Sequence, residues 1–140
     1  MNLLVEKEEV WAASVDETPG ALASILSVLA DAGADLDFII LRRAPDKPGT
    51  GVVFVTPLRG DREIRAADEA GFSVTQKMHS VRVEGANEAG IAAKLTKALG
   101  DAGIKVRGMS MAVLGTRFVA HFAADSAEDE KAVVDTLTRL

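Results

Sequence analysis

Asp16-Glu17-Thr18-Pro19-Gly20-Ala21-Leu22 is the stretch on which the fold of this chain turns. A short apolar run, Val10 to Val15, leads into it, and a helix follows it to Ala32-Gly33. The Thr18 hydroxyl can accept from the unpaired amides of a first helical turn, which predicts it as the N-cap. Pro19 suits the first helical position, where a missing N–H costs nothing. Leu22, Ile25, Leu26 and Leu29 recur at i, i+3, i+4 and i+7, one apolar helical face. Gly33 stands where a helix usually ends. Strand, capped turn and amphipathic helix read as the first half of a βαββαβ unit.

The rest of the unit follows in order. Asp35 to Arg43 alternates as a second strand, and Ala44 to Gly51 is rich in Pro and Gly and reads as a loop. Val52 to Thr56 is a third strand that Pro57 stops. Asp61 to Ala70 reads as a second helix with Asp61 as its cap, and Phe72 to Lys77 as a fourth strand. The pattern then begins again. Ser80 to Gly85 alternates as a strand, and Asn87-Glu88-Ala89-Gly90 opens a helix carrying Ile91, Leu95, Ala98 and Ala102. Gly20 matches Gly90, Leu29 matches Leu99, and Asp31-Ala32-Gly33 matches Asp101-Ala102-Gly103, all at an offset of 70 residues. Such self-similarity is an internal duplication. Val106 to Leu114 and Thr116 to Ala123 are the next strands, and Ser126 caps a last helix. The expected organisation is a first repeat over 1–77 and a second over 78–140, the second lacking its own last strand.

Two features predict association. Phe38, Ile39, Ile40 and Leu41, and likewise Val52 to Val55, are apolar on both strand faces. Strands of that kind usually have both faces covered. The open edge of the second sheet invites pairing, either by residues 2–6 or by another protomer. A homodimer is the expectation.

Composition excludes several classes. The chain is 48% hydrophobic and 26% charged, with a formal net charge of −5. Non-specific attraction to nucleic acid or an anionic membrane is not expected from that charge. No run reaches the length of a membrane span, and Met1 to Glu9 lacks the pattern of a signal peptide, so a cytoplasmic protein is expected. The absence of cysteine excludes disulfides and thiolate chemistry. His79 and His121 lack ligand-like spacing, and Asp31, Asp35 and Asp37 lack a calcium-loop spacing, so neither a metal nor a cofactor is expected. Arg42 and Arg43 read first as a solvated strand end and second as a steering site for an anion. No nucleophile with an orienting base is recognisable, which argues against an enzyme.

The run Asp16 to Leu22 with the later Asp31-Ala32-Gly33-Ala34-Asp35-Leu36 resembles the ACT domain, as does Ala102 to Met109 in the second half. The resemblance implies an α+β protein of two ferredoxin-like βαββαβ repeats with antiparallel sheets. It implies a regulatory module binding a small molecule, most often an amino acid, and controlling a separate metabolic enzyme. By position the ligand-binding residues would be Asp16, Thr18, Pro19, Gly20, Ala21 and Leu22 at the turn. Asp35, Leu36 and Asp37 would come from a neighbouring unit. The second-repeat counterparts, Asn87, Glu88, Ala89 and Gly90, are weaker candidates, because Ala86 stands where the first copy has Asp16. The residues themselves support a zwitterion at the first turn. A helix N-terminus attracts a carboxylate, and Asp16 can hold an ammonium. The alternatives are plain helix capping at that turn and, for the whole chain, a scaffold that regulates an enzyme by contact alone.

Overall fold

A computed structural model of the chain describes residues 1–75 and 78–140. Residues 9–75 form one compact unit, and residues 1–8 join the chain from 78 onward in the other. In the first unit the order is β2 (Trp11–Asp16), α1 (Ala21–Asp31), β3 (Phe38–Arg43), β4 (Thr50–Thr56), α2 (Gly60–Glu69) and β5 (Ser73–Val74). The second contains β6 (His79–Ala86), α3 (Ile91–Asp101), β7 (Gly108–Leu114), β8 (Arg117–Ala124) and α4 (Ala127–Thr138), completed by β1 (Leu4–Glu8). The sheets are antiparallel, ordered β3-β4-β2-β5 and β1-β6-β8-β7.

Each core lies between one sheet face and two helices. Trp11, Ala13 and Val15 of β2 join Val53 and Val55 of β4 over Leu29 and Ala67. Val81, Val83, Phe118, Ala120 and Phe122 do the same over Leu95, Leu99, Val133 and Leu137. The repeat offset is visible in single hydrogen bonds. The Ala34 N–H donates to the Leu29 carbonyl at 3.0 Å, and the Ile104 N–H donates to the Leu99 carbonyl at 3.0 Å.

The missing strand of the second sheet is supplied by the chain's own beginning. β1 lies antiparallel to β6, with Leu4 opposite Glu84 and Glu8 opposite Ser80. Of the two ways of closing that edge, pairing by the N-terminal residues is the one present. Residues 1–8 therefore leave the first repeat in which 1–77 had placed them. Side chains fix the strand: Leu3 and Val5 pack on the second core. Glu8 accepts from Ser80 Oγ at 2.7 Å and meets His121 Nδ1.

Other boundaries shift for identifiable reasons. The second strand begins at Phe38 rather than Asp35, because Asp35 to Asp37 form the connection from α1. In α2 the cap position is Arg59, not Asp61, and the Arg59 N–H donates to Glu63 Oε1 at 2.8 Å. Among the described residues the fourth strand pairs over Ser73–Val74, because the Phe72 N–H before it donates to the Ala67 carbonyl at 2.9 Å and closes the end of α2. Gln76 and Lys77, the end of that expected strand, lie outside the described residues. Ser126 caps α4 as expected, accepting from the Asp129 N–H at 3.1 Å.

On β6, Glu84 accepts from Arg82 Nη1 at 3.0 Å and from Arg117 Nε at 3.1 Å. These guanidiniums hold its carboxyl below the ordinary glutamate range. A carboxyl lowered in the folded state stabilises it above the unfolded pKa and loses that contribution as pH falls through the folded value. Glu84→Gln is expected to flatten the acid side of the stability profile, measured by urea unfolding between about pH 7 and pH 3.

Candidate functional site

β2 ends at Asp16, and the Glu17 N–H donates to the Gly49 carbonyl at 2.9 Å, tying the turn to the β3–β4 loop. The Ala21 N–H then donates to the Thr18 carbonyl at 3.1 Å. Gly20 sits between them at φ 87, ψ −12. Pro followed by a left-handed Gly is the signature of a type II turn. This corrects the expected cap: Gly20 holds the cap position, no side chain caps the helix, and α1 starts at Ala21. Thr18 and Pro19 shape the turn before the helix. The first helical bond runs from the Ser24 N–H to the Gly20 carbonyl at 3.0 Å. Helix geometry consequently leaves the Leu22 and Ala23 amides without an intrahelical acceptor, at the positive end of the helix dipole.

Beside this turn is a cavity of about 450 Å³. Asp16, Glu17, Thr18 and Gly20 form one wall, and Leu41, Arg42 and Arg43 at the end of β3 form another. Val15, Leu22 and Gly51 complete it. The size falls within the range of small-molecule sites, about 300–1,000 Å³. Strand register assembles it: Gly51 lies opposite both Val15 and Arg43, and Asp16 opposite Thr50. Gly51 is required by packing, since a Cβ there would stand 2.9 Å from the Arg42 carbonyl oxygen and 3.3 Å from Leu41 Cδ1.

The charges divide unequally. Arg43 Nε meets Glu17 Oε1 at 3.0 Å, an exposed pair of small energetic weight. Arg42 Nη1 donates only to the Leu41 carbonyl, at 3.2 Å. Among the described residues neither Arg42 nor Asp16 has an ionic partner. One carboxylate and one guanidinium thus line the cavity uncompensated.

Of the residues expected at the site, Asp16, Thr18, Gly20 and Leu22 line the cavity, while Pro19 and Ala21 belong to the same turn but not to its walls. Asp35, Leu36 and Asp37 lie at the opposite end of the sheet, where the Asp37 N–H donates to the Thr56 carbonyl at 2.9 Å. Within this unit they do not meet the turn. Glu17 lies within the expected turn, Val15, Leu41 and Gly51 are additions to the expected lining, and Arg42 and Arg43 read first as a solvated strand end. Their place follows from the β3–β4 register, which only the pairing reveals.

The second repeat has the same backbone with different contents. The Asn87 N–H donates to the Thr116 carbonyl (2.8 Å), Ile91 to Glu88 (3.1 Å) and Lys94 to Gly90 (3.0 Å), and Gly90 has φ 83. Here Lys94 Nζ pairs with Glu88 Oε1 at 2.7 Å. Phe118, opposite Gly85, replaces Gly51, and it is 1% exposed. A Cβ on Gly85 would stand 2.7 Å from Leu3 Cδ2 and 3.0 Å from Phe118 Cε1, so in the second core these side chains take the space that Val15 fills in the first.

The family model of the ACT domain matches residues 13–70. Residues 13–70 are an ACT domain. No curated protein matches the sequence at a significant level. Among solved structures, a protein from Bacteroides thetaiotaomicron is 15% identical, covers 96% of this chain and 90% of its own, and superposes with a TM-score of 0.77. The ligand-free regulatory subunit of aspartate kinase from Thermus thermophilus is 17% identical over 99% of this chain and 97% of its own, with a TM-score of 0.64. The corresponding subunit from Thermus flavus is 17% identical over 99% and 96%, with a TM-score of 0.58. At these identities the likeness is one of fold, and it covers both repeats. The ACT match includes the whole β2–α1 turn and both arginines of the cavity. Among the described residues no helix is long and apolar enough to cross a membrane.

Proposed function

We propose that this chain is a non-catalytic regulatory module that binds an amino acid or similar small metabolite at the β2–α1 turn of its ACT domain and controls a separate metabolic enzyme. The observation that carries the reading is the cavity itself. Among the described residues, Asp16 and Arg42 stand in it without ionic partners. An α-ammonium suits the first, and a carboxylate suits the second or the open helix amides. ACT membership and a fold shared with aspartate kinase regulatory subunits support the regulatory role.

The module works as a homodimer. Its edge strands β3 and β7 expose Ile39, Leu41, Met109, Val113 and Leu114, and exposed apolar edges favour pairing. Asp35, Leu36 and Asp37, distant from the turn of their own unit, are proposed to complete the site of a neighbour through their backbone, which adds no charge to it. A ligand bridging two units favours one packing of them over another, which is how it regulates.

A thermal-shift screen of the twenty amino acids tests this, repeated on the Asp16→Ala, Gly20→Val double variant. A ligand at 100 times its Kd adds about 2.7 kcal/mol of stability. The expected result is a selective shift that the double variant loses. A flat screen on folded protein contradicts amino-acid binding and favours a scaffold acting by contact alone.

A further inference from the structure

Resting on that reading, we infer that the ligand is a zwitterionic amino acid with an apolar side chain, bound once per chain in the unit of residues 9–75. Glu17 and Arg43 satisfy each other across 3.0 Å. What remains is one anion, Asp16, and one cation, Arg42, on a cavity whose other walls are Val15, Leu22 and Leu41 with the neutral Thr18, Gly20 and Gly51. An α-ammonium and an α-carboxylate use up both charges. A third charge, on the ligand's own side chain, would enter the cavity without a partner, and an unpaired charge moved out of water is strongly disfavoured.

The apolar walls set the side chain. Val15 is 7% exposed and belongs to the core beneath the cavity, whereas Leu41 is 44% exposed. Leu41 has apolar surface left to cover, and Gly51 beside it contributes no side chain of its own. Each methylene buried there is worth about fourfold in affinity.

The stoichiometry follows from the duplication. In the second repeat Ala86 replaces Asp16, Phe118 replaces Gly51, and Glu88 is engaged by Lys94. The charge complement is gone, although the turn keeps its hydrogen bonds. One copy holds the site and the other holds the scaffold.

Isothermal titration of the full chain tests this with leucine, valine, methionine and phenylalanine against alanine, lysine and aspartate. 3-Methylbutylamine and 4-methylpentanoate, leucine without its carboxylate or its ammonium, complete the panel. The expected result is one site per chain for an apolar amino acid, at least tenfold tighter than alanine, lysine or aspartate. Each truncated analogue should lose tenfold or more, and Arg42→Gln should weaken the parent ligand about tenfold. Arg42 is exposed, so this variant is expected to fold. Tighter binding of lysine or aspartate, or two sites per chain, overturns the inference and leaves amino-acid binding standing. No binding by any of the seven amino acids, with a flat twenty-member screen, overturns both.

Discussion

A chain that starts at Glu9 is expected to lose the folded state of residues 78–140. β1 contributes five paired residues along β6, and its removal strips that edge of every partner. Leu3 and Val5 leave the core they pack on. Fully burying an aliphatic side chain contributes about 1.5–3 kcal/mol, and these two, partly buried, each contribute a share of that. Ser80, 5% exposed, loses the Glu8 carboxylate its hydroxyl donates to, and His121 loses one of its contacts. A buried polar group left without its partner costs about 1–3 kcal/mol. Together these losses rival the whole stability of a small unit, about 5–15 kcal/mol. Limited proteolysis followed by mass spectrometry checks this, with cleavage expected throughout 78–140. Trp11, the single tryptophan, lies in the unit of residues 9–75, so its fluorescence follows that unit by itself. Resistance of 78–140 equal to that of the intact chain would contradict the role given to β1.

The second large effect is expected in the paired helix cores. Leu29 and Leu99 occupy equivalent positions in the two repeats and are 0% and 1% exposed. Each also carries the carbonyl that receives the amide five residues on, at the helix end. Leu→Ala at such a site removes transfer free energy and leaves a cavity, at a cost of about 2–5 kcal/mol. Leu→Met keeps the volume and is expected to cost less than about 1.5 kcal/mol. Urea unfolding of Leu29→Ala and Leu99→Ala, each beside its Met variant, measures the difference. For Leu29→Ala the Trp11 signal reports directly, because both residues share one core. A loss below about 1 kcal/mol for either alanine variant would mean that the site collapses around the gap.

Much of this architecture is legible in the amino acids, and what escapes has physical reasons. The 70-residue offset between Gly20 and Gly90 shows the duplication, and it reappears hydrogen bond by hydrogen bond. The unpaired edge of the second sheet is legible from the strand count, and Leu3-Leu4-Val5 was one of two ways to close it. Pro19-Gly20 misleads, because Pro fits both the first helical position and the second position of a type II turn. Only the left-handed Gly20 decides for the turn. Asp35 to Asp37 misleads through alternation, which a connecting segment can imitate over three residues. The far wall of the cavity was not legible. Leu41, Arg42 and Gly51 lie on strands that meet the turn through register, and register depends on pairing rather than on local pattern. The contrast between the copies is sharper still. Gly51 and Phe118 look unrelated until β4 and β8 are aligned, and they then hold the same register position, opposite Val15 and Gly85.

The most direct test of the central claim is backbone amide chemical-shift mapping of the intact chain, titrated with the amino acid that gives the largest thermal shift. The predicted result is a saturable cluster of perturbations at Asp16 to Leu22 apart from Pro19, at Leu41 to Arg43 and at Gly51. The equivalent turn from Asn87 to Ile91 should stay unmoved. Perturbations centred on that second turn, or none at the first, would contradict a ligand site at the β2–α1 turn.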